Sequence, residues 1–266
     1  MRARRGDRSG IPAILTRLRL IPLLLTAALL AGCGSASTAP KGPPLETECG
    51  DLPKGLDAKP IWLHTSDGVR LYAATAGKGA KAVVLLHESQ ANLCGWLPTM
   101  QWLEDNGLRA IAIDMRGAGR SGPGRPSAYF HSGQDMKAAL DEARAEGSKD
   151  LVLIGASMGG AAALMYAPTL SGLAGVVSLS GEPKLPNAEL DGIDAVPKLR
   201  APLLTIGSRQ DGYFDAADSR KLHQAAGSPD KQAAVFPGSY HGWDLIQTAP
   251  YEARAQKLLL AWLDRH

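Results

Sequence analysis

From residue 60 onward, short apolar runs alternate with longer segments of mixed polarity. The runs Ala82–His87, Arg109–Asp114, Asp150–Gly155, Gly175–Ser180 and Pro202–Gly207 are almost continuous in Val, Leu, Ile and Ala. That pattern predicts strands covered on both faces, as in a parallel sheet. Gln232–Phe236 extends the series. The two earlier runs, Ile61–Thr65 and Arg70–Thr75, flank the turn Ser66-Asp67-Gly68 and predict an antiparallel hairpin.

Helix candidates lie between the strands: Leu97–Asn106, Gly133–Glu146, Ser157–Ala167, Ala216–Ala226 and Tyr251–Arg265. Gly107 and Gly147 supply helix stops for the first two. Within Gly133–Glu146, Met136, Ala139, Leu140 and Ala143 fall on one face. Strands alternating with helices predict an α/β fold, a mostly parallel eight-stranded sheet covered on both faces. The only room for an inserted lid is Glu182–Arg200, which holds Pro183, Pro186 and Pro197. No large lid fits there, so the site beneath is expected to be open.

The stretch before residue 60 reads differently. Residues 1–32 carry six arginines and one acid, then the apolar run Leu20–Ala31. That run is too short to span a bilayer and has the shape of a secretory signal. Leu30-Ala31-Gly32-Cys33 resembles the bacterial lipobox, in which cleavage precedes the cysteine and the cysteine carries lipid. The resemblance implies a lipid anchor at Cys33 and an extracytoplasmic protein held at a membrane. Residues 33–59, rich in Pro, Ser and Gly, are expected to be a tether, and residues 60–266 the folded domain. With Cys33 lipidated, Cys49 and Cys94 remain as a candidate disulfide in an oxidising compartment.

Charge changes the picture once. The chain is formally +3, but residues 1–32 contribute +5, which leaves the remainder at −2. A weakly acidic body offers no electrostatic footprint for nucleic acid. There is no H-E-x-x-H, no C-x-x-C and no clustered His/Asp set, so neither metal nor cofactor is expected.

Two glycine patterns invite chemistry. Gly117, Gly119 and Gly122 spell G-x-G-x-x-G after the strand Arg109–Asp114. A dinucleotide turn must lead straight into a helix, and here Pro123, Gly124 and Pro126 follow instead. The second pattern is Gly155-Ala156-Ser157-Met158-Gly159, set between a strand and a helix. There a serine can be lifted clear of a sheet toward a base, while glycines remove the β-carbons that would clash. The bland alternative is a serine that only caps the helix.

The G-x-S-x-G turn, with Asp114-Met115-Arg116-Gly117-Ala118-Gly119-Arg120-Ser121 after the fourth strand, resembles the α/β-hydrolase fold family. The likeness runs from about Trp62 to the C-terminus. It implies a nucleophile at Ser157, followed in chain order by an acid and a histidine. His241, just past the last strand, matches the family's base position, whereas His223 falls within a helix. Asp211, after Pro202–Gly207, matches the usual acid position; Asp215 and Asp218 suit the start of the next helix, and Glu182 is the other acid candidate. The family's oxyanion donors correspond to the backbone N–H groups of Met158 and Ser89. Where the family often has His-Gly-x, this chain has His87-Glu88-Ser89, and His87 reads as a supporting residue. Trp96, Trp102, Tyr240 and Trp243 flank these segments and could line an acyl pocket or pack. The expectation is a cofactor-free serine hydrolase acting on a small acyl substrate, an ester or thioester, at the cell envelope. The alternative is a lipid-anchored binding protein on the same scaffold.

Overall fold

The structure, a computed structural model, describes residues 39–123, 132–185 and 190–266. The expected signal segment and the expected lipid anchor at Cys33 lie outside the described residues.

Eight strands form one sheet: β1 (Lys59–His64), β2 (Arg70–Ala76), β3 (Lys81–Leu86), β4 (Arg109–Ile113), β5 (Asp150–Ala156), β6 (Leu173–Leu179), β7 (Leu203–Ser208) and β8 (Lys231–Phe236). Their order is β1-β2-β4-β3-β5-β6-β7-β8. β2 runs antiparallel to β1 and β4, and every other pairing is parallel. Val84 of β3 stands opposite Ile111 of β4 and Leu153 of β5. The helices are α1 (Glu46–Cys49), α2 (Leu97–Asp105), α3 (Ser132–Ala145), α4 (Met158–Tyr166), α5 (Gly192–Ala195), α6 (Ala216–Ala225), α7 (Asp244–Gln247) and α8 (Glu252–Arg265).

Because strand side chains alternate, one sheet feeds two cores. Val83 and Leu85, with Val152, Ile154 and Ala156, face a cluster built by the 3₁₀ turn ending at Trp96 and by α2, α7 and α8 through Met100, Leu103, Leu245, Leu259 and Trp262. Ala82, Val84 and Leu86, with Leu151 and Leu153, face α3, α4 and α6 through Met136, Leu140, Ala163, Leu164 and Leu222. This is the α/β-hydrolase fold, and the described part of Glu182–Arg200 holds only the short α5 and one 3₁₀ turn. There is no large lid among the described residues.

The segment expected as a tether departs from that expectation over its described part. Residues 39–59 lie on the domain: Lys41 bridges to Ile61 beside the sheet, Trp62 donates to the Pro40 carbonyl and Gly42 to that of Pro60. Tyr72 donates its hydroxyl to the Pro43 carbonyl at 2.7 Å, and Leu45 is only 1% exposed within the first core. The proline-rich composition misleads because these prolines serve as acceptors, a role that needs no N–H. Cys49, which ends α1, is disulfide-bonded to Cys94, with the Cα atoms 5.3 Å apart. The expected pairing is present.

Candidate active site

Ser157 follows β5 and precedes α4, with φ 50° and ψ −117°. Few non-glycine residues tolerate a positive φ, so the turn carries local strain. Its neighbours explain how the turn closes. A methyl group at Gly155 would stand 2.1 Å from the Gly159 carbonyl oxygen, and one at Gly159 would stand 2.3 Å from that of Leu86. Only glycine admits backbone so close. The Ser157 amide donates to the Leu179 carbonyl at 2.8 Å, and its own carbonyl accepts from Ala161, the first bond of α4. The side chain therefore makes no capping hydrogen bond to the helix. Met158 begins α4, so its N–H is among those left without an intrahelical partner, where the helix dipole favours negative charge.

Asp211 lies in the turn after β7. The Tyr213 and Phe214 amides donate to its Oδ1 at 2.9 and 3.3 Å, locking the side chain in place. His241 lies in the loop after β8, and its Nδ1 meets Asp211 at 3.0 Å (Oδ1) and 2.8 Å (Oδ2). The carboxylate is 1% exposed and the imidazole 23%. The next residue is close to the serine turn: a methyl on Gly242 would stand 3.5 Å from the Ala156 side chain. The structure thus puts Asp211 and His241 in direct contact and brings their loop against the turn that carries Ser157.

Electrostatics follow from this enclosure. Burial works against the charge of His241, yet the Asp211 hydrogen bond and the charges of Asp211, Glu88 and Glu182 outweigh it, so its pKa is raised. Burial pushes Asp211 up, but the hydrogen bonds from His241 and the Tyr213 amide prevail and its pKa is lowered. Glu182 is half-buried near the pair, and burial raises its pKa; the carboxylate that contacts the imidazole is that of Asp211. His223 sits on α6 with its Nε2 3.3 Å from the Lys231 carbonyl oxygen, and Asp215 caps α6 by accepting from Ala217 and Asp218.

The loop after β3 holds Glu88 and Ser89. Ser89 is exposed in a turn closed by the Ala91 amide donating to the Glu88 carbonyl. His87 anchors that turn from beneath. Met115 donates its N–H to Nε2 at 3.1 Å, so Nδ1 carries the hydrogen and donates to the Glu88 carbonyl at 2.7 Å. Burial lowers the His87 pKa and keeps it neutral. The glycines of Asp114–Ser121 are structural: Asp114 accepts from the Leu93 and Arg120 amides at 2.8 Å each, and a methyl on Gly119 would collide with its carboxylate.

Of the four aromatics that flank the candidate site, Trp96 is fully buried and meets Trp243 edge-on at 5.6 Å, while Tyr240 meets Tyr251 edge-on at 5.7 Å. Both contacts are packing. Trp102 is partly buried against the first core. Sequence reasoning missed the aromatic beside the histidine. Tyr213 is 71% exposed with its ring centroid 5.2 Å from that of His241, and a tyrosine two residues past Asp211 was the only signal. No group of His, Cys, Asp and Glu able to hold a metal occurs among the described residues.

Residues 77–189 match the family model described as Serine aminopeptidase, S33. No curated protein matches the chain. Among solved structures, an esterase from Pyrococcus furiosus superposes with a TM-score of 0.67 at 18% identity, covering 84% of this chain and 97% of that one. An esterase from Exiguobacterium antarcticum gives 0.64 at 17%, covering 76% and 98%. A monoacylglycerol lipase from Paleococcus ferrophilus gives 0.60 at 19%, covering 73% and 98%. At these identities the likeness establishes the fold, in agreement with the strand order.

Proposed function

We propose that the protein is a serine hydrolase that cleaves an ester or thioester through Ser157, His241 and Asp211. The observation that carries this reading is the Asp211–His241 hydrogen bond, set in a loop that touches the strained Ser157 turn. The esterases and the lipase among the similar structures support ester hydrolysis as the class of reaction.

In the proposed reaction, Ser157 Oγ attacks the substrate carbonyl carbon while its proton passes to His241 Nε2. Asp211 holds Nδ1–H, which fixes the tautomer and stabilises the imidazolium. The carbonyl π bond opens to an oxyanion, which rests on the N–H groups of Met158 and Ser89. When the oxyanion collapses, the bond to the alcohol or thiol breaks and the leaving group takes the proton from His241. Water then attacks the acyl-enzyme, loses its proton to His241 and releases the carboxylic acid as Ser157 regains its hydrogen.

Treating the protein with a fluorophosphonate probe and mapping the adduct by peptide mass tests this. The expected adduct lies on Ser157 and is missing in Ser157→Ala. A folded protein that takes no probe would sink the reading and bring forward a lipid-anchored binding protein on a hydrolase scaffold.

The proposal extends to location. The lipobox-like residues before Cys33 and the Cys49–Cys94 disulfide both suit an extracytoplasmic protein held by lipid at the cell envelope. Cys33→Ser is then expected to move the protein from the detergent phase to the aqueous phase, and no change would count against the anchor.

A further inference from the structure

Glu88 stands where the resemblance calls for a small residue, two positions beyond the end of β3. Its carboxylate turns toward the loop after β8. Oε1 accepts the Trp243 N–H at 2.9 Å across a sequence separation of 155 residues. Gly242 has φ +54°, and a methyl group there would come within 1.7 Å of the same oxygen. The carboxylate therefore lies against the two residues directly after His241, at a position where a β-carbon has no room.

The clasp has a second flank. A methyl on Gly95 would collide with the Trp243 ring, and the Gln247 side chain donates to the Gly95 carbonyl at 2.9 Å and to Thr99 Oγ1 at 2.8 Å. Cys94 beside it is tied to Cys49. The chain from Glu88 to Thr99 thus grips the chain from Gly242 to Gln247 at both ends.

We infer that Glu88 is a positioning residue that locks the loop carrying the base to the loop carrying the second oxyanion donor. This rests on the serine hydrolase reading and explains why a glutamate occupies the departure. Reaction geometry needs the imidazole and the second oxyanion donor at a fixed spacing, and the two follow strands separated by β5, β6 and β7. One hydrogen bond to the backbone next to the base supplies that link directly. The groups facing His241 are Asp211 from the loop after β7, Glu182 from the loop after β6 and Glu88 itself, with the Tyr213 ring alongside. Asp244, on α7, faces Glu88. None of these is a cation, so the Glu88 charge also favours protonated His241.

The test compares wild type with Glu88→Gln and Glu88→Ala in the full-length protein, each checked for native circular dichroism. Two readouts are taken: the NMR titration of the His241 ring, which needs no substrate, and the pH profile of kcat and KM on p-nitrophenyl acetate. Glu88→Gln keeps an oxygen for the Trp243 amide and removes the charge. It is expected to hold kcat within about five-fold while the His241 titration and the acid limb move to lower pH. Glu88→Ala loses the clasp as well, and kcat should fall by about ten- to a hundred-fold with KM little changed. A Glu88→Ala variant with wild-type kcat overturns the inference, as does a Glu88→Gln variant that falls equally far or leaves the His241 titration in place. Inactive wild type whose His241 titration still moves on Glu88→Gln would reject the hydrolase reading instead.

Discussion

Asp211 receives the His241 ring through both carboxylate oxygens, at 2.8 and 3.0 Å, while two backbone amides hold the carboxylate from behind. An imidazole held this way is more basic than a free one. In the proposed reaction only neutral His241 can accept the Ser157 proton, and its pKa lies above the ordinary value. Ester hydrolysis should therefore be low at pH 6 and rise with pH through an acid limb above about 6.5. Asp211→Asn leaves the fold but offers an N–H where an acceptor is needed. It should lower kcat by about 10⁴. A kcat/KM profile on p-nitrophenyl acetate checks both, and an acid limb at or below 6.5 would count against the paired assignment.

The Ser157 turn yields a stability prediction that needs no substrate. Its φ of 50° strains any side-chain-bearing residue, and glycine relieves that strain. Ser157→Gly and Ser157→Ala both remove the hydroxyl, so comparing the two isolates the backbone. The glycine variant should be the more stable by about 1 kcal/mol, since released strain exceeds the entropy glycine adds to the unfolded chain. By contrast, Gly159→Ala drives a methyl to 2.3 Å from the Leu86 carbonyl oxygen and should cost about 3 kcal/mol or prevent folding. Urea melts of the three variants decide the matter. Equal stability of the alanine and glycine variants would show that the serine backbone is unstrained.

Much of this was legible in the sequence because its signals were local. β3, β4 and β5 announce themselves as unbroken apolar runs, and Gly155 to Gly159 name a turn that few contexts other than a strand–helix junction would need. Asp211 and His241 were readable as loop residues after the right strands. What escaped depends on partners far along the chain. The span 39–59 looked like a tether because its composition is rich in Pro and Gly, yet Leu45 is buried in the first core, Leu52 and Leu56 pack against it, and proline carbonyls take the hydrogen bonds. The short α1 and α7 have four residues each, too few for a helical period to register. Glu88 reads in the sequence only as a departure from the family's glycine, since nothing local reveals that its acceptor role is met by an amide 155 residues away.

The Cys49–Cys94 bond closes a loop with a sequence separation of 45 and joins α1 to the chain just after the turn at Ser89. Restricting a loop of that size in the unfolded chain contributes about 4 kcal/mol in the entropy model. The double variant Cys49→Ser/Cys94→Ser is expected to lose about 2–4 kcal/mol, and wild type in reducing buffer should fall to the same level. Denaturant midpoints with and without reductant measure it. Reductant sensitivity in the double variant itself would trace the effect to something other than this bond.

Asp114 makes stability depend on pH in an unusual direction. Burial raises its pKa to about 6, although the Leu93 and Arg120 amides pull the other way. A carboxyl whose folded pKa is raised contributes stability that is fully present below its unfolded value near 4 and is lost as pH rises through about 6. The two pKa values set an upper bound of about 3 kcal/mol on that loss. Glu88, Glu182 and Asp135 are raised as well, so the useful quantity is a difference. Asp114→Asn cannot ionise. Its stability relative to wild type should therefore improve from pH 4.5 to about 6 and level off above that, whatever its absolute cost from placing an amide opposite the Arg120 N–H. Urea midpoints of both proteins across that range test the claim, and parallel curves would mean that Asp114 is ionised throughout.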